Sequence, residues 1–261
     1  MRSVTRREAM VLAATTALGG RSVAGDAPKL TLSTFVEEIT CPIGHPLMGG
    51  GIAPAKEVLD PLYAHGFVLQ SAGKPVAVVA LDWCEVRNDA YDLWRAEIAK
   101  AIDTDPVRVM LSCLHQHDAP IADLAAEILL RKNKCAGSIC DPEFVAKKAK
   151  RVAAAAKASL EKASPVTHLG TGQAKVLQVA SNRRYLDEMK QVRYDRMSAT
   201  RNEKIRAADE GDIDPYLKTL SFWNGDTPLL AVSAYSTHPM SYYGRGGGVG
   251  RFRRPGPQAP A

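Results

Sequence analysis

Apolar and polar positions fall into blocks along this chain, and the blocks change period several times. Leu30 to Ile39 reads as a strand, and Pro42, Gly44, Pro46 and Gly49-Gly50-Gly51 make the next stretch an irregular loop. Phe67-Val68-Leu69 and the run from Val76 to Leu81 flank Ser71-Ala72-Gly73-Lys74, the pattern of a hairpin. No polar residue interrupts Val76 to Leu81, which predicts a central strand covered on both faces. Asn88 to Ile102 places Tyr91, Leu93, Trp94 and Ile98 partly at three-to-four spacing and predicts a helix. Val107 to Leu111 is a second short buried strand. Pro142 to Lys162 is a long Ala- and Lys-rich helix with a proline near its start, where the missing N–H costs nothing.

Val176 to Val179 reads as a strand that leads to Ser181-Asn182-Arg183-Arg184. Residues 185–215 are polar with little periodicity and predict a long surface excursion. Leu217 to Trp223 and Leu229 to Ser236 form a second hairpin pattern around Asn224-Gly225-Asp226, and its second strand delivers Thr237-His238-Pro239. No internal repeat is visible. Two hairpins combined with two crossover helices predict an α/β fold: a mixed β-sheet sandwich flanked by helices on both faces.

Composition supports a buried core, with 46% hydrophobic and 24% charged residues. The net charge of +6 is carried by the ends. Residues 1–24 hold Arg2, Arg6, Arg7 and Arg21 against Glu8, and the stretch from Gly244 holds Arg245, Arg251, Arg253 and Arg254 without an acid. That leaves the body at about −1, which lacks the basic face of a nucleic-acid binder. Thr5-Arg6-Arg7-Glu8, the apolar run from Ala9 to Leu18 and the small residues Ser22-Val23-Ala24 together read as a twin-arginine-type signal peptide over 1–24. This predicts engagement of the twin-arginine (Tat) export machinery and a periplasmic or secreted product. The run is too short for a transmembrane anchor, which takes about 20 residues. The Gly-, Arg- and Pro-rich stretch 244–261 cannot bury apolar surface and is expected to be a disordered tail, with contact to an anionic surface as the functional alternative.

Five cysteines (Cys41, Cys84, Cys113, Cys135 and Cys140) are scattered and odd in number, so they describe neither a disulfide framework nor a Cys-rich zinc site. Cys135 and Cys140 are spaced either for a local disulfide or for two free thiols. The histidines carry more information. His115 and His117 follow a buried strand in Leu111-Ser112-Cys113-Leu114-His115-Gln116-His117-Asp118-Ala119-Pro120. On an extended segment alternate side chains share a side, so both imidazoles can address one site, with Asp118 as an orienting acceptor. Imidazole suits zinc, and a catalytic zinc takes three protein ligands and an open position. His238 also follows an apolar strand, and the ends of core strands are where sites on open α/β sheets lie. His45, His65 and His168 read as structural or surface residues. A metal-free serine hydrolase built on Ser112, Ser236 or Ser241 lacks the Gly-x-Ser-x-Gly elbow.

Four segments then share a resemblance. Leu-Ser-Cys-Leu-His115-Gln-His117-Asp-Ala-Pro resembles the neutral ceramidase segment Ser-x-Thr-His-Thr-His-Ser-Gly/Ala-Pro. Asn182-Arg183 resembles that family's Asn-Arg-Ser, Ala234-Tyr235-Ser236-Thr237-His238-Pro239 its strand ending in Ile-His-Pro, and Ile39 to Leu47 its opening Thr-Pro-Pro-x-Gly loop. The matches run in order across about 40–240. The resemblance implies an N-terminal zinc hydrolase domain over 28–243, with Zn2+ held by His115 and His238. His117 then hydrogen-bonds the scissile carbonyl, and Arg183 lines the site. The implied reaction is hydrolysis of the N-acyl bond of ceramide, or of a related lipid amide, by zinc-bound water. Gln116 and Asp118 depart from the family pattern and imply a different immediate pocket. The family's remaining zinc ligands, a glutamate and a tyrosine, lie downstream of Ala261. The expectation is therefore a fold incomplete at the C-terminus, with a frameshifted or prematurely ended tail. A catalytically inactive binding or structural protein that keeps the fold is the second class of function.

Overall fold

The alternating apolar segments pair into sheets whose two faces receive different layers. The computed structural model describes residues 29–239, apart from 136, 138, 194, 195, 198 and 199, together with 248 and 249. The leader read over 1–24, and the tail read from 244 apart from two residues, lie outside the described residues. The strands are β1 (Thr31–Glu38), β2 (Glu57–Val58), β3 (Tyr63–Gln70), β4 (Val76–Leu81), β5 (Glu85–Arg87), β6 (Val109–Cys113), β7 (Ile121–Asp123), β8 (Ser164–Pro165), β9 (His168–Lys175), β10 (Tyr185–Leu186), β11 (Val192–Arg193), β12 (Tyr216–Asn224), β13 (Thr227–Ala234) and β14 (Gly248–Val249). The α-helices are α1 (Asn88–Ala101), α2 (Leu124–Lys132), α3 (Pro142–Ser159) and α4 (Glu203–Ala207). Among the described residues no helix is long and apolar enough to cross a membrane. Gly248–Val249, within the stretch read as a tail, pairs in parallel with Glu57–Val58.

The main sheet has the order β6-β4-β3-β1-β8. Only the β4–β6 pair within it is parallel, and it is joined through α1; the expected hairpin forms between β3 and β4. Register puts Ser33 and Phe35, Gly66 and Val68, Ala77 and Val79, and Val109 and Leu111 on one face. That face is buried under α1 and α3, whose inward residues Ala90, Trp94 and Ile98, and Val145, Ala149, Val152 and Ala156, recur at three-to-four spacing. Asp141 starts α3 by accepting the Glu143 and Phe144 amides at 2.9 and 3.3 Å, one residue ahead of Pro142. Phe35 lies across Gly66, where any Cβ would collide with its ring.

The opposite face carries Leu32, Phe67 and Val78, which pack on Phe222, Leu230 and Val232. Those three belong to a second sheet of order β13-β12-β9. The mixed α/β sandwich expected from the sequence is therefore present, with a sheet rather than helices in the layer opposite the two long helices. Alternation in β12 and β13 explains this, since one side of that hairpin is apolar enough to cover a neighbouring sheet. It also qualifies the expectation for β4: Ala77, Val79 and Leu81 are fully buried, whereas Val76, Val78 and Ala80 are half-buried. The strand expected at Val176 to Val179 lies one segment earlier, as β9. Its polar, Gly-rich sequence pairs with β12 through the backbone and leaves its side chains exposed. The polar stretch 185–215 carries the small β10–β11 hairpin and α4, and Arg196 and Ile205 are buried within it.

Helix α2 has no counterpart in the hydrophobic pattern. Asp123 caps it by accepting the Ala126 amide at 3.0 Å, and Glu127 on its inner side is fully buried. Burial works against the Glu127 carboxylate, but the amides of Gly137 and Cys140 and the Arg131 guanidinium outweigh it, so its pKa falls below the ordinary value. Cys135 and Cys140 are not joined by a disulfide; their sulfurs face Asn133 O and Asp123 O respectively. Glu127→Gln should cost roughly 1–3 kcal/mol, because it removes a charged acceptor from donors held in the interior. A depressed folded-state pKa contributes stability above the unfolded carboxylate range and loses it as pH falls through the folded value. The penalty, measured by denaturant unfolding, should accordingly be full at pH 7 and shrink in acid.

Candidate functional site

β4 and β6 run in the same direction with Leu81 opposite Cys113, so residues 82–85 and 114–118 leave the sheet side by side at its carboxyl edge. Main-chain bonds extend the pairing: Leu114 N donates to Leu81 O at 2.9 Å and His115 N to Trp83 O at 3.2 Å. Trp83 anchors the first loop from below. Its indole N–H donates to Ile39 O at 3.0 Å, and its ring packs on Trp94 and Phe144. Buried Gln116 ties the two loops together by donating to Asp82 O at 2.5 Å, and the Asp82 carboxylate accepts the Tyr63 amide at 2.8 Å.

At His115 the chain turns. Its φ is +58°, a left-handed conformation that costs a non-glycine residue about 1–2 kcal/mol. This corrects the expectation of an extended segment with both rings on one side. The rings of His115 and His117 stand at 87° with centroids 5.4 Å apart, and they meet different partners.

His115 turns Nδ1 towards the first loop, 3.3 Å from Glu85 Oε1, 3.3 Å from Cys84 O and 3.9 Å from Cys84 Sγ. The other Glu85 oxygen is held by Arg87. Burial, followed by the charge of Glu85, pushes the Cys84 thiol up to about 12. His117 is buried and faces the other way, with its Nε2 3.1 Å from His238 Nε2 and the ring centroids 4.6 Å apart. Burial lowers the pKa of both rings, and neighbouring positive charge lowers it further: that of His238 and His115 for His117, and that of Arg183 and His115 for His238. Both shifts favour the neutral rings, and a hydrogen bond between the two Nε2 atoms needs the proton on one of them.

Arg183 reaches this cluster from an exposed loop pinned by Asn182, which donates through its side chain to Asp212 O at 2.9 Å and through its amide to Glu210 O at 2.8 Å. All four site residues named from the sequence thus come together. The other three histidines stay apart from them. His45 is buried, contacts Pro46 O through Nδ1 at 2.8 Å and accepts the Asp141 amide on Nε2 at 3.2 Å; His65 and His168 are exposed.

A cavity of about 310 Å³ opens at the cluster, lined by Met48, Glu85, His115, His117, Ile121 and Asp123 among others. This is at the small end of ligand pockets and combines apolar walls with convergent polar groups. Cys84 and Glu85 were not singled out as site residues by sequence reasoning. No motif marks them; the signal available was that a residue just past the end of β4 adjoins one just past the end of its parallel neighbour. Among the described residues, Cys84, Glu85 and His115 form a group of three metal-type donors whose ligand atoms all lie within 4.8 Å of one another. These donor types fit a zinc ion, which takes thiolate, imidazole and carboxylate.

No protein-family model matches the chain, and no curated protein sequence matches it. Solved structures do. A ceramidase complexed with C2 superposes with a TM-score of 0.57 at 16% identity, covering 82% of this chain and 32% of that one. The neutral ceramidase from Pseudomonas aeruginosa gives a TM-score of 0.54 at 16% identity, covering 87% of this chain and 38% of that one. The chain therefore has a ceramidase-like fold, and it spans about a third of the length of the structures it matches.

The strain at His115 leads to a test of its role. Glycine adopts a positive φ without steric cost, though it loses more backbone entropy on folding. His115→Gly should be more stable than His115→Ala by about 0.5–1 kcal/mol, read from denaturant midpoints. A backbone held in this conformation to aim a ring gives that order; the reverse order removes the strain argument.

Proposed function

We propose that this protein is an exported, zinc-dependent hydrolase that cleaves the N-acyl bond of ceramide or a related lipid amide. The observation that carries the reading is the convergence of His115, His117, His238 and Arg183 on a ceramidase-like fold, with His115 and His117 lining a cavity. These are the residues that the ordered sequence resemblance names. Zinc, when bound, would supply an activated water and polarise the carbonyl. His115 is its anchor in this reading. His238, the second ligand that the resemblance implies, faces His117.

The remaining chemistry belongs to the chain's own side chains. The Nε2 atoms of His117 and His238 face each other at 3.1 Å, so an N–H at His117 Nε2 can donate to His238 in the free protein and to a carbonyl oxygen that takes the place of that acceptor when substrate binds. Such a donor matters most when the oxygen gains charge, and losing one costs about 10²–10³ in kcat. Arg183 adds positive charge on the same side, where it opposes protonation of His238 and favours an anionic oxygen. Met48, Ile121 and Ile139 give the cavity apolar walls that suit an acyl segment and keep water from the polar groups.

The test is release of fatty acid from ceramide and simpler N-acyl amides by the purified chain. Hydrolysis should vanish with a chelator and return with zinc. His115→Ala should abolish it together with stoichiometric zinc, while His117→Ala should keep the zinc and lose about 10²–10³ in kcat. Absence of hydrolysis with zinc present, or hydrolysis indifferent to the chelator and to His115→Ala, sinks the proposal and leaves a binding protein that keeps the fold.

A further inference from the structure

Resting on the zinc-hydrolase reading, we infer that Glu85 is the positioning residue of His115. It takes the N–H of Nδ1, fixes the tautomer and orientation of the ring, and leaves Nε2 as the nitrogen that meets the ion.

The hydrogen-bond partners carry the assignment. His115 Nδ1 stands 3.3 Å from Cys84 O and 3.3 Å from Glu85 Oε1. A main-chain carbonyl only accepts, and so does an ionised carboxylate, so the nitrogen that faces both is the one that carries a proton. In the neutral ring the free lone pair is then on Nε2. A neutral imidazole binds a metal through one nitrogen, and which one is set by the hydrogen bond that the other makes. Glu85 therefore acts on the ion through the ring and not as a ligand of its own.

The two acceptors contribute differently. Cys84 O belongs to the main chain and fixes a direction, whereas Glu85 adds charge, which raises the basicity of the metal-binding nitrogen. The contacts of Glu85 itself serve that placement. Arg87 holds its other oxygen and leaves Oε1 for the ring. The Cys84 and Glu85 amides both donate to Pro120 O, at 3.0 and 3.4 Å, and Glu85 stands opposite Ile121 in the parallel β5–β7 pair. The acceptor thus sits on a short paired strand rather than a free loop, and that strand is tied to the far end of the segment that carries His115. Such support matters because packing holds the ring loosely. Its side chain is half-exposed and borders two cavities, of about 270 and 310 Å³. The left-handed backbone at His115 brings the ring to the first loop, and Glu85 stops it there.

Two readouts on the full chain test this, and neither is catalysis. Long-range proton–nitrogen NMR of the isotope-labelled, metal-free chain is recorded about two pH units above the ordinary imidazole pKa of about 6.5, where a free ring is neutral. It should show His115 with its proton on Nδ1, the signal being identified by its loss in His115→Ala. In Glu85→Ala that signal should move towards a mixture of the two tautomers. Zinc affinity, read by competition with a chromophoric chelator, should fall about 10–100-fold in Glu85→Ala. It should fall less in Glu85→Gln, whose amide oxygen still accepts the N–H. A wild-type spectrum with the proton on Nε2 overturns the assignment whether or not any variant folds, and so does a folded Glu85→Ala that binds zinc as tightly as wild type. The hydrolase reading fails by a different result. Zinc binding that depends on Glu85 without hydrolysis of N-acyl amides retains the positioning role and removes the reaction, whereas chelator-sensitive hydrolysis with the proton on Nε2 retains the reaction and removes the role. A chain that binds no zinc removes both.

Discussion

When neighbouring strands run in the same direction, their carboxyl ends release two loops side by side from one edge of the sheet. β4 and β6 do this with Leu81 across from Cys113, and the rest of the site depends on that register. It sets Cys84 and Glu85 on one loop beside His115 and His117 on the other. A shift by one residue would exchange the faces of β6, sending Val109 and Leu111 out of the helix-covered core and Met110 and Ser112 into it. Burial of those side chains under α1 therefore fixes the register, and the register fixes the chemistry. Gln116 and Trp83 then lock the loops to the sheet from within.

The sequence carried the scaffold well because the scaffold is made of apolar periodicity. β1, the β3–β4 hairpin, α1, α3 and the β12–β13 hairpin all lie within a few residues of where the pattern places them. Elements that depend on something else were missed. β9 has no apolar alternation, because its side chains are exposed and β12 holds it by backbone bonds alone. α2 is short, and it is stabilised by the Asp123 cap and by a buried Glu127 that organises the loop after it; neither stands out in a scan for hydrophobic faces. The layer opposite the long helices is a sheet because Phe222, Leu230 and Val232 point from the second hairpin onto Leu32, Phe67 and Val78. No local window reports that pairing.

The candidate site divides along the same line. His115 and His117 were legible because they follow a core strand, His238 because it follows a strand of apolar sequence, and Arg183 because of the resemblance of its short motif. What each ring faces was not legible. It depends on one backbone angle at His115, and no residue type signals that angle, since histidine in the left-handed region is uncommon. Cys84 and Glu85 were invisible for a related reason: their importance arises from adjacency in space to a residue far along the chain.

Energetics tie these observations together. A histidine at +58° carries a conformational cost of about 1–2 kcal/mol, and native interactions must offset it. The amide of His115 bonded to Trp83 O recovers part of that, but a glycine could make the same bond without the strain. What glycine cannot supply is the ring, and the ring meets a carboxylate already turned by Arg87 and a buried thiol. Strain held by a surrounding network is the pattern expected where a side chain is aimed for function. A polar cluster that served packing alone would gain more from an apolar side chain at a relaxed angle, since burying ionisable groups against one another adds desolvation cost without a compensating fold advantage. The strained backbone and the converging donors are thus two expressions of one arrangement, and both are set where β6, apolar but for Ser112, leaves the sheet beside β4.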